Sequence, residues 1–174
     1  MTQEEAAMVE EMKQIVGGDC FGPVPEETIA AAEQELGLPL PRSYRAFLRH
    51  FGAAIIGGYE IQGLPNTRNT DEEMAFWSHV VDTSRIMWDG YGGNGMPRHL
   101  VYVTDDGGGT QYYLDTSRMD DAGECPVVAF GNVKEQGGVK ASNFFEFMKQ
   151  LDAEDQRYQE WKSVHGEPKP EGYD

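Results

Sequence analysis

Cysteine is nearly absent from this chain of 174 residues. Cys20 and Cys125 are the two present, too few and too distant for a disulfide framework, and they are expected as reduced thiols. Long apolar runs are also missing. No stretch approaches the roughly 20 apolar residues that cross a bilayer. Met1 to Val16 carries Glu4, Glu5, Glu10 and Glu11, and so lacks the basic start and apolar run of a secretory signal. These absences lead to the expectation of a soluble, cytoplasmic protein. Basic residues are scarce as well. Fourteen Lys and Arg face 30 Asp and Glu, for a net charge of −16. Such a field repels nucleic acid and anionic membrane, and it attracts cationic surfaces.

The motifs of chemistry are missing in turn. Gly90-Tyr91-Gly92-Gly93-Asn94-Gly95 has the letters of a dinucleotide loop. That motif works only between a strand and a helix N-terminus, where backbone N–H groups face the pyrophosphate. Here a helical pattern precedes it and Met96-Pro97 follows, so a loop is expected. His50, His79, His99 and His165 are scattered, with no H-E-x-x-H or C-x-x-C pair to seat a metal. Asp105, Asp106, Asp115, Asp120, Asp121 and Glu124 form the densest acidic cluster but lack the ligand spacing of a calcium loop. No G-x-S-x-G elbow is present. The expectation is a protein that is not an enzyme and carries no cofactor or metal. A small hydrolase with a carboxylate pair is the enzymatic alternative, since many acids allow some pair to meet in space.

Periodicity supplies the elements. Thr2 and Glu5 have capping-box spacing, and Met8, Val9, Met12, Ile15 and Val16 recur at helical spacing up to Gly17-Gly18. Pro25 opens a second helix with Ile29, Ala32 and Leu36 inward, stopped at Gly37. After the extended Leu38-Pro39-Leu40-Pro41 link, Tyr44, Phe47, Leu48 and Phe51 mark a third helix that ends at Gly52. Its other face carries Arg42, Arg45 and Arg49, expected to be solvated or paired to the chain's own acids. Tyr59 to Gln62 alternates like a half-buried strand. Met74, Trp77, Val80, Val81 and Trp88 predict a helix over 71–88. Leu100 to Thr104, Thr110 to Leu114 and Pro126 to Phe130 are β-rich, and Asp105 to Gly109 reads as a hairpin connection. Asn143 or Ser142 caps a last helix with Phe144, Phe145, Met148 and Leu151 inward, and Tyr158 and Trp161 belong to its extension or to a separate short helix. This order predicts an α+β fold: N-terminal helices, a central, mostly antiparallel curved sheet, and a C-terminal helix. One domain over 1–165, with its core over 25–151, and a frayed tail over 166–174 are expected.

Ile29, Glu33, Leu36-Gly37, Leu40-Pro41, Tyr44, Phe47-Leu48, Gly52, Gly58-Tyr59-Glu60-Ile61 and Gly63-Leu64-Pro65 together resemble the signature of the SUKH superfamily. Leu100 to Thr104, Tyr112 to Asp115 and Glu124 to Val128 extend the likeness over most of the chain. The superfamily includes Smi/Knr-type fungal cell-wall regulators and bacterial toxin-immunity proteins. The resemblance implies a protein-binding module, most naturally an immunity protein neutralising a basic toxin domain of nuclease or deaminase type. A regulatory scaffold with other protein partners is the alternative. The matching residues are structural and transfer no catalytic set. The expected binding face lies in loops that carry acids and aromatic rings: Trp88, Tyr91, Asp105, Asp106, Asp120 and Asp121, with core packing the rival role for Trp88. The chain itself is expected to be a monomer or a weak homodimer.

Overall fold

Each of the first three helices ends at a glycine. The computed structural model describes residues 1–66, 79–90 and 95–167, and in it α1 spans Gln3–Val16, α2 Glu26–Leu36 and α3 Arg42–Phe51. Thr2 caps α1 by accepting the Glu5 N–H at 3.1 Å. Glu5 does not complete a reciprocal capping box, because its carboxylate accepts from the Arg49 guanidinium at 2.8 Å on α3. Strands β1 (Ala54–Ile56) and β2 (Tyr59–Ile61) form an antiparallel hairpin. Its two-residue loop is Gly57-Gly58, with φ of 55° and 81°, the positive values that such tight hairpin loops require. Helix α4 spans Val80–Asp89, so it meets the C-terminal part of the helix expected over 71–88; residues 67–78 lie outside the described ones. Strands β3 (Leu100–Asp105), β4 (Thr110–Asp115), β5 (Val127–Gly131) and β6 (Gly138–Ala141) form a four-stranded antiparallel meander in chain order. Helix α5, Phe144–His165, is the last element among the described residues; of the tail expected over 166–174, residues 168–174 lie outside them.

The α+β fold class is as the sequence implies, with two elements that it hides. β1 is a run of Ala-Ile-Ile with no alternation, and β6 is Gly-Val-Lys-Ala. Neither has a period long enough to stand out. Tyr158 and Trp161 sit on α5 itself and not on a separate helix.

The main core lies between α1, α2, α3 and α5 and one face of the meander, where Val101, Val103, Tyr112, Leu114, Val127 and Ala129 point inward. Tyr44, Phe47 and Phe144 form its aromatic centre, with Tyr44 edge-on to Phe144 at 4.9 Å. Phe147 is fully buried in the α5 stripe, whereas Phe145 is only half-buried. The sequence spacing points to Phe145 instead. At 100° per residue it leaves the stripe shared by Phe144, Phe147, Met148 and Leu151, and Lys149 lies over its ring at 4.8 Å.

The signature stretch has a physical basis. The Glu33 carboxylate accepts the Leu40 N–H at 2.8 Å and pairs with Arg45, so it fixes the link that two prolines prevent from being helical. The Tyr44 hydroxyl donates to the Gln62 carbonyl at 2.7 Å, joining α3 to the end of β2. Gly52 and Gly63 meet backbone to backbone: a Cβ at Gly63 would fall 1.7 Å from the Gly52 carbonyl oxygen. No side chain fits there.

Tyr44→Phe removes the buried donor while keeping the ring. It is expected to destabilise the protein by about 1–3 kcal/mol, the cost of leaving a buried carbonyl unmet, read from urea unfolding midpoints at constant slope.

Candidate protein-binding surface

Two hairpin tips meet at one end of the sheet. The first is the Gly57-Gly58 tip of β1–β2. The second is the β3–β4 connection, Asp106 to Gly109. Their meeting follows from backbone bonding: the Gln62 N–H donates to the Val103 carbonyl at 2.8 Å, so the end of β2 is laid along β3. Between the tips lies an open cleft of about 510 Å³, lined by Tyr59, Glu60, Gln62, Tyr102, Asp105 and Asp106 among others.

The acids in this cleft are partly committed to structure. Asp105 Oδ2 accepts from the Tyr102 hydroxyl at 2.6 Å, and its Oδ1 accepts from the Gly107 N–H at 2.8 Å. Asp106 Oδ1 accepts from the N–H groups of Gly108 and Thr110 at 2.8 and 2.9 Å, so it organises the turn in the way that Asp side chains commonly do. What little burial Asp106 has pushes its carboxyl up. The bonds from Thr110 and Gly108 outweigh this and hold it below the usual carboxylate range. Both aspartates remain exposed. The tyrosines stay neutral. Burial, then the bond to Asp105, pushes the Tyr102 phenol far up, and burial with Glu154 and Asp106 nearby pushes the Tyr59 phenol up. The cleft therefore offers carboxylate acceptors beside the half-exposed Tyr59 ring, a lining suited to a cationic side chain.

Of the six residues expected at a binding face, the structure brings Asp105 and Asp106 together here. Trp88 is elsewhere. It is 8% exposed, and its indole N–H donates to the Leu100 carbonyl at 2.6 Å. Ser84 on the same helix accepts the Tyr102 N–H at 3.0 Å. These two α4 side chains satisfy backbone groups of β3, the edge strand of the meander, which would otherwise offer them to another chain. Packing thus takes up Trp88 and leaves it almost no face for a partner. Tyr91 lies outside the described residues.

Asp120 and Asp121 belong to a different region, the loop before β5. Asp120 Oδ1 accepts from the N–H groups of Ala122 and Glu124, both at 2.9 Å. The loop so formed caps α3, whose N-cap residue Pro41 supplies no side-chain acceptor. The Gly123 carbonyl accepts the Arg42 N–H at 2.9 Å, and the Glu124 carboxylate accepts from both the Ser43 N–H and its hydroxyl. Burial pushes the Glu124 carboxyl up, against the pull of those bonds. Asp120 and Glu124 line a second groove with Glu4, Glu11, Met8 and Phe145, but their carboxylates are engaged in holding the helix. The Arg42, Arg45 and Arg49 stripe pairs with the chain's own acids: Glu4, Glu26, Glu33 and Glu5.

Sequence reasoning missed Tyr59 and Glu60 as surface candidates; Tyr102 is buried and floors the cleft. The signal for Tyr59 and Glu60 was Gly57-Gly58, a hairpin loop that places the next residues at a tip. Among the described residues, no cluster of three or more His, Cys, Asp or Glu side chains is placed to hold a metal, and no helix is long and apolar enough to cross a membrane.

The depressed Asp106 sets a pH dependence. Its contribution to stability is complete above the carboxylate value of the unfolded chain and is lost as pH falls through the lower folded value. Urea midpoints are expected to fall as pH drops from about 4 towards 2, and to fall less steeply for Asp106→Asn.

The cleft and the capped α3 lie within a stretch that a known family shares. The family model described as SUKH_5, SMI1-KNR4 cell-wall, matches residues 6–152, from the first turn of α1 to one residue past the last buried side chain of α5. This chain belongs to the SUKH_5 family.

Proposed function

We propose that this protein is a cytoplasmic immunity protein that binds one cognate toxin domain and occludes its active site without catalysing any reaction. The observation that carries the reading is the cleft between the two hairpin tips, where Glu60, Asp105 and Asp106 stand beside Tyr59 and Tyr102 on a chain of net charge −16. The toxin domain would be cationic, as nucleases and other enzymes acting on nucleic acid are. Its Lys or Arg side chains are steered by the net charge and seated among the carboxylates of the cleft beside the Tyr59 ring. The arginines of α3 do not oppose this, because each is neutralised within the protein. The bacterial SUKH proteins that this chain resembles act as immunity proteins, which supports the same reading.

A regulatory role with other protein partners is the second reading, favoured by the cell-wall description of the matching family model. Gene order separates the two: a secreted toxin encoded beside this reading frame favours immunity, and housekeeping neighbours favour regulation.

Co-expression with the toxin domain encoded alongside tests the proposal. Survival of the host and an equimolar complex on gel filtration are expected. A toxin that still kills, with no complex surviving the column, overturns the reading. Glu60→Gln combined with Asp106→Asn removes two charges while leaving an acceptor oxygen at each position, and at Asp106 a single oxygen, Oδ1, holds the turn. It is expected to weaken the complex by about tenfold, mainly through slower association, and to flatten its salt dependence.

A further inference from the structure

Helix α5 outlasts the core that it fills. Its last buried side chain is Leu151, yet the helix runs on to His165, and the family match also stops at residue 152. Asp152 to His165 is an overhang of roughly 20 Å at the helical rise. The seam that fills the core continues along it. Phe144, Leu151, Tyr158 and His165 recur every seven residues, with Phe147, Glu154 and Trp161 at the intervening positions, so they share one helix face. On the overhang this face is uncovered: Tyr158 and Trp161 are 46% and 45% exposed. The rings are already ordered. Tyr158 stacks on Trp161 at 6.3 Å, and Trp161 on His165 at 4.8 Å, so little side-chain freedom remains to be lost on docking.

Charge changes sign along the overhang. At its base, Glu154 pairs with Lys140 at 3.0 Å, and Asp155 lies beside the Gly57-Gly58 tip, where a Cβ on Gly57 would be 2.9 Å from that of Asp155. Towards its end, from Arg157 to His165, the cations Arg157 and Lys162 outnumber the lone acid Glu160. Most of this strongly acidic molecule repels a second copy of itself; the end of the overhang does not.

We propose that the overhang docks on the overhang of a second copy of this chain, the two helices antiparallel about a two-fold axis. That arrangement sets Lys162 of each copy towards Asp155 of the other, with Tyr158 and Trp161 of both copies in the middle. The face is self-complementary, as an isologous contact requires. Lys162 pairs with Glu167, which is 78% exposed, and such a surface pair exchanges readily for one between copies. Two helical segments of this length bury less than the roughly 1,200–2,000 Å² of a stable interface. The dimer is therefore weak and reversible.

Sedimentation velocity of the full chain, from about 10 to 500 µM at physiological salt, tests this. A rapid monomer–dimer equilibrium with Kd on the order of 100 µM is expected. Trp161→Ala should raise Kd about tenfold. Lys162→Glu should weaken association, and adding Asp155→Lys should restore it. All three positions lie beyond the last buried residue, so circular dichroism should show an unchanged fold. A chain that stays monomeric throughout, or a dimer indifferent to Trp161→Ala, overturns the proposal. A monomeric wild type whose toxin binding depends on Trp161 overturns it as well, because the face then belongs to another protein.

Discussion

The bond from the Tyr44 hydroxyl to the Gln62 carbonyl is the joint on which the rest of the structure depends. Tyr44 is fully buried and rests edge-on against Phe144, so the bond cannot shift without disturbing the aromatic core. Gln62 is the residue where β2 hands over to β3, through its N–H to the Val103 carbonyl. One tyrosine thus ties α3, α5, the small hairpin and the meander together. It also sets where the two hairpin tips meet. The cleft that carries the functional proposal is a consequence of this joint and not a separate construction.

Charge is used in two ways across the molecule. Around α3 the acids are internal fittings. Glu33 holds a proline-bounded link, Glu124 caps a helix that Pro41 cannot cap, and Glu4, Glu5 and Glu26 neutralise arginines. At the hairpin tips, Asp105 and Asp106 hold turns with part of their hydrogen-bonding capacity and stay exposed. Net charge counts both kinds alike. Only the placement of partners separates acids that a cationic protein can meet from acids already spent on the fold, and this separation favours the cleft over the groove lined by Asp120 and Glu124.

Helices were the most legible part of the sequence because their caps and periods are local. Thr2, Gly17, Gly37, Gly52 and Asn143 mark their ends as the spacing implies. Strands β1 and β6 were hidden, since three or four residues without alternation carry no period and are strands only through their partners. Asp105 and Asp106 were legible as a hairpin end rich in acid. Their meeting with Tyr59 and Glu60 depends on a contact between distant backbone segments, which no local pattern encodes. Trp88 shows the opposite limit: from sequence it reads either as an anchor or as core packing, and the edge of β3 decides for packing. Asp120 and Asp121 were grouped with the other acids by sequence density, but the fold sends that loop to the N-terminus of α3.

The central claim is that a cationic protein partner seats in the cleft between the hairpin tips. Hydrogen exchange on the complex with the adjacently encoded toxin domain tests it most directly. The account predicts slowed exchange in residues 57–62 and 102–110, with the loop at 120–124 unchanged. Slowed exchange confined to the α1 and α3 face, with both hairpin tips as open as in the free protein, would contradict it.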